Sequence, residues 1–195
     1  MNIEYFNEYL KYEQLGIKSK EKEYLNNFIK SFENYNEKVL WTMEYLPKLK
    51  FNHHNRIRNE LFEEIVFPVL LEGYNNRNIK SMIWIVKLNQ NFTQNEKLWK
   101  KINYVSNLSL IMECYKMEPD NSEIIDLYLE IIIEKILYRI HEWPDGILIG
   151  NRLAEKDECK KLLEEIPLLN KLDRNNEYNE LIMEYENILN EYINR

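Results

Sequence analysis

Turn-forming and cross-linking residues are scarce in this sequence. Four glycines, five prolines and a single alanine, Ala154, are spread over 195 positions, which is little turn material for a protein of many strands. That scarcity predicts long helices with short joints. The two cysteines, Cys114 and Cys159, lie far apart and outside any CxxC spacing. Paired-thiol metal and redox motifs are therefore excluded, and two buried free thiols are expected. Of the three histidines, His53 and His54 are adjacent, His141 is alone, and none has a glutamate three positions ahead of it. An HExxH pair is also missing, so convergent metal ligands have no local support and no metal or cofactor is expected. No GxxxxGK[ST], GxGxxG or GxSxG occurs, which removes local support for phosphate cradling and for a nucleophile elbow.

Long apolar runs are missing as well. The most apolar stretches are broken by Glu and Lys well short of the roughly 18 to 20 residues that span a bilayer. The opening residues "MNIEYFNEYLKYEQ" mix acidic and aromatic side chains at helical spacing and contain no apolar core of a signal peptide. These features predict a cytoplasmic protein without a membrane partner. The Asn91 to Thr93 and Asn107 to Ser109 sequons then carry no meaning, because they are expected by chance in so asparagine-rich a chain.

What is present is apolar residues at helical spacing. Hydrophobic residues make up 45% and charged residues 30%, a balance that favours a folded chain over disorder. Phe6 and Leu10 begin an amphipathic helix stopped at Gly16. A second stripe from Leu25 to Leu46 predicts one long helix ending before Pro47. "FNHHNRIRNE" reads as a polar joint, and Pro68 must kink or break the helix that follows. Further helices are predicted at about 77 to 91, 95 to 117, 123 to 142, 152 to 165 and 174 to 193, with Thr93 or Asn95 and Asp120, Asn121 or Ser122 as caps. "ILIG" can form a short extended piece. The expected fold is all-α, about eight helices packed as antiparallel hairpins in a single domain over 1–195, either an irregular bundle or a HEAT-like array.

The segment "IHEWPDGILIG", Ile140 to Gly150, gathers a histidine, two carboxylates and a tryptophan. The Pro144 and Gly146 positions fit a type I turn, which makes His141, Trp143, Pro144 and Gly146 a structural joint. A cationic His141 in the last helical turn would complement the helix dipole, and Trp143 would pin the turn to the core. The wider Arg-to-His spacing of HEPN-type helical ribonucleases is not met, since Arg139 stands two positions before His141.

Charge is distributed unevenly. Residues 1–101 hold 13 acids and 16 bases, net +3, whereas residues 102–195 hold 20 acids and 10 bases, net −10. Glu123, Asp126, Glu130 and Glu134 recur at three, four and four on one helix of otherwise apolar residues, with Asp145 near its end. Such a ridge is either a solvated face balanced by neighbouring lysines or a docking surface for a basic protein. It repels nucleic acid, and the basic excess in the first half is too small and dispersed for a DNA-binding footprint.

"YLKYEQLGIKSKEKEYLNNFIKSF" near the start and "YRIHEWPDGILIG" after the long helix resemble landmarks of the all-helical immunity proteins of bacterial polymorphic toxin and contact-dependent inhibition systems. The resemblance implies a cytoplasmic, non-enzymatic inhibitor that binds a cognate toxin domain, often a nuclease, and occludes its active site. The alternatives are a helical interaction scaffold of unrelated purpose and a small-molecule enzyme assembled from scattered residues.

Overall fold

A computed structural model describes residues 1–49, 57–93 and 95–195, apart from the Thr93 side chain. His53 and His54, with most of the joint "FNHHNRIRNE", lie outside the described residues. Within them 73% of residues are helical, and the sheet content is one two-stranded hairpin. The all-α expectation holds, with more and shorter helices than eight. The chain forms two compact units, Met1–Ser106 and Asn107–Arg195.

In the first unit, α1 (Ile3–Gln14) and α2 (Lys18–Lys30) form a hairpin. Gly16 closes α1 with φ at +69°. Its N–H donates to the Glu13 carbonyl at 3.1 Å, and the Ile17 N–H to that of Tyr12 at 3.0 Å. These two bonds satisfy carbonyls that the helix end leaves without donors. The stripe from Leu25 to Leu46 is not one helix. Asn34 interrupts it, accepting from the Glu37 N–H at 3.1 Å and starting α3 (Tyr35–Tyr45); an asparagine so placed satisfies the first N–H groups of a new helix. The resulting corner lets Phe6, Phe28 and Trp41 meet with ring centroids 4.9 to 5.3 Å apart, within the range of favourable aromatic pairs.

Pro68 does not break its helix. α4 (Asn59–Leu61) passes through a wider π turn at Phe62–Val66 into α5 (Phe67–Asn75), where Pro68 occupies the first turn. Proline cannot donate to the carbonyl four residues earlier. That carbonyl, on Glu64, accepts instead from Lys38 Nζ at 2.9 Å. α5 then packs on α6 (Ile79–Lys87) as a hairpin. After α7 (Asn89–Thr93), α8 (Glu96–Lys101) is capped by Asn95. It stops because Asn103 and Tyr104 adopt φ of 54° and 53°, so the expected helix from 95 to 117 is two helices.

In the second unit, α9 (Asn107–Met117) pairs with α10 (Ser122–Arg139), whose first N–H groups donate to the Asn121 side chain. Two residues each from β1 (Leu148–Ile149) and β2 (Arg152–Leu153) make an antiparallel hairpin, which replaces the beginning of the helix expected at 152. α11 (Lys156–Leu163) and α12 (Ile166–Leu172) follow. Pro167 sits in the first turn of α12, where its missing N–H costs nothing. α13 (Asn179–Asn194) packs against both.

Candidate functional site

Helix α10 supplies the geometry of the candidate site. Its inner face, including Ile124, Tyr128, Ile132 and Ile136, is buried. The apolar residues recur every three to four positions, and that period leaves one sector of the helix outside. Glu123, Asp126, Glu130 and Glu134 all occupy this sector and are exposed, so no other element of their unit covers them. Leu137 and Tyr138, 51% and 49% exposed, extend the outer face beyond the last carboxylate.

The α10 C-terminus is held by polar contacts under this face. Arg139, whose side chain is mostly buried, donates from Nη1 to the hydroxyl of the fully buried Tyr185 at 3.1 Å and to Glu165 at 3.4 Å. Burial pushes the Tyr185 phenol up to about 12. The Lys135 ammonium is held below its ordinary range, first by burial and then by Arg139. Both effects disfavour the charged form in a medium less polar than water.

The residues expected to form a joint divide. The turn is not type I with proline second, because the Asp145 and Gly146 N–H groups both donate to the Glu142 carbonyl, at 2.8 and 3.2 Å. The Trp143–Pro144 peptide is cis, which puts the cis proline in the third position of a Glu142 to Asp145 turn. Gly146 is there for space: a Cβ on it would come within 2.5 Å of the Leu153 side chain. Trp143 is half-buried rather than sunk in the core, and the Arg195 guanidinium covers its ring at 4.2 Å. Arg195 also donates to the Pro144 carbonyl at 2.6 Å. His141 lies beyond the end of α10, with 76% of its side chain exposed and Glu142 at 3.9 Å. It therefore stands outside the packing of the joint and outside the last helical turn. Asp145 is exposed.

Between the end of α12 and the first turns of α13 lies a recess of about 160 Å³. Asp173, 5% exposed, forms it by accepting the Glu177 and Tyr178 N–H groups at 2.9 and 2.8 Å, which turns the chain into α13. The exposed Met183 supplies the recess with apolar surface, and the buried Ile182 and the exposed Glu186 complete its α13 side. The Tyr178 phenol is held above its ordinary range by the Glu177 carboxylate first, then by burial, Glu130 and Asp173. The cue in the sequence was "NKLDRNNEYN", 170–179, in which Asp and Asn are loop-capping types.

Among the described residues no group of three or more His, Cys, Asp or Glu is placed to hold a metal ion, and no helix is long and apolar enough to cross a membrane. Cys114 and Cys159 are both buried free thiols, and burial pushes the Cys114 thiol up to about 11. No family model, no curated protein and no solved structure matches the chain.

Proposed function

We propose that the protein is an inhibitor that binds a basic protein through the acidic face of its Asn107–Arg195 unit, as an immunity protein neutralising a cognate toxin domain, often a nuclease, by occluding its active site. One observation carries this reading: the outer face of α10 presents Glu123, Asp126, Glu130 and Glu134 to solvent in a unit of net charge −10. Such a surface attracts cationic proteins at long range, excludes nucleic acid and supplies specificity more than bulk affinity. A nuclease cleft fits it, since a cleft that holds a phosphate backbone is itself cationic. The exposed Leu137 and Tyr138 at the end of the ridge add the apolar contact that interface centres use. Inhibition of this kind needs no turnover and no cofactor, and it takes place in the cytoplasm of a bacterial cell.

The test is co-expression with the protein encoded by the neighbouring reading frame, which should be basic. The two should co-purify in stoichiometric amounts, and the partner's toxicity should be suppressed. A partner that is equally toxic with and without this protein would overturn the reading.

A further inference from the structure

The recess beside the ridge has a chemistry of its own. Asn179, Ile182, Met183 and Glu186 line it from α13, and their spacing of three, one and three puts them on one helical face. Asn170 at the end of α12 and Asn176 in the loop line it from the other side. Met183, 56% exposed, supplies the accessible apolar surface at the mouth, whereas Ile182 is 1% exposed and supplies almost none. Glu186 puts a carboxylate on the α13 face with Asn179, across from Asn170 and Asn176, and none of the residues lining the recess is a lysine or an arginine. Its volume of about 160 Å³ is on the order of five water volumes. That is room for one long side chain, and it falls short of the roughly 300 Å³ at which pockets for cofactors and drug-sized ligands begin.

We infer that this recess is a subsite for a single lysine or arginine side chain of the basic partner, its aliphatic stem on Met183 and its cationic head among the asparagine amides and Glu186. The inference rests on the proposed function for the identity of the partner, and on the recess alone for the ligand chemistry. Long cationic side chains bury their stems on apolar surface while the head stays polar, and both parts have a counterpart here. The head would meet a carboxylate and amide carbonyls, acceptors that suit an ammonium or a guanidinium.

The test titrates the full chain with N-acetyl-arginine amide and, as a neutral probe of similar length, N-acetyl-norleucine amide, following amide resonances by NMR. The arginine probe should shift the side-chain amides of Asn170, Asn176 and Asn179, and the norleucine probe should leave them in place. Glu186→Lys and Met183→Arg, both at exposed positions, should keep the melting temperature and abolish the shifts. Equal shifts with both probes, no shifts at these amides, or shifts that persist in Glu186→Lys would overturn the subsite. Glu130→Lys/Glu134→Lys, which alters α10 and leaves the residues lining the recess in place, should retain probe binding while losing the protein partner. That variant distinguishes a failure of the subsite from a failure of the inhibitor reading.

Discussion

Trp143 and His141 are two residues apart and do different amounts of structural work. The indole is half-buried under the Arg195 guanidinium. Truncation therefore removes part of a buried aromatic contact and a partly exposed cation–π pair, the latter about 0.5 to 1 kcal/mol. Trp143→Ala should lower unfolding free energy by about 1 to 2 kcal/mol, less than the roughly 3 to 5 kcal/mol of a fully buried tryptophan. His141→Gln, at an exposed position, should stay within about 0.5 kcal/mol. Urea denaturation of both variants checks the order, and a larger loss from the histidine change would contradict it. Burial also sets the behaviour of the tyrosines in alkali. Tyr45 and Tyr185 are pushed up to about 12, chiefly by desolvation, and Tyr9 is raised further. A folded value above the unfolded one near 10 means the contribution is complete below pH 10 and lost as pH rises through about 12. Tyrosinate absorbance and loss of helical circular dichroism should therefore rise together across that interval. Full ionisation with helix content intact would refute the burial of these phenols.

The α5–α6 hairpin shows how closely two elements can approach when one residue lacks a side chain. A Cβ on Gly73 would come within 2.0 Å of Ser81 Oγ and 2.5 Å of its Cβ. Gly73→Ala should destabilise by about 1 to 3 kcal/mol, as overpacking of a tight contact does. Adding Ser81→Gly should recover part of that loss, giving a coupling of more than about 0.5 kcal/mol in a double-mutant cycle; additive losses would show that the helices separate instead. Apolar spacing made the helices legible in the sequence, and their breaks were less so. The period through Leu25, Phe28, Val39 and Leu46 continues across Asn34, and only the cap formed with Glu37 ends one helix and starts another. The break at Asn103 and Tyr104 depends on left-handed backbone that no glycine announced. At Pro68 the sequence pointed to a kink or a break, and the outcome is a π turn through which a lysine from α3 helps carry the chain. That rescue comes from a residue 30 positions away, and local pattern could not reveal it.

Across the whole chain the decisive quantity is the sign of charge, net +3 over residues 1–101 and −10 over 102–195. The four ridge carboxylates were legible because their spacing matches the helical period, and the structure places all four in the exposed sector of α10. The recess was not, because it is assembled from a loop, the end of α12 and one face of α13, and such a meeting depends on packing. Reversing charge at exposed helix positions changes stability little but acts strongly on encounter with a charged partner. The most direct test of the proposed acidic docking face is therefore the association rate with the proposed basic partner, measured by stopped flow from low to high salt for the unaltered protein and for Glu130→Lys/Glu134→Lys. The double variant should melt at the same temperature, associate about tenfold or more slowly at low salt, and show a weaker dependence on ionic strength. An unchanged rate and an unchanged salt slope in a folded double variant would contradict the account.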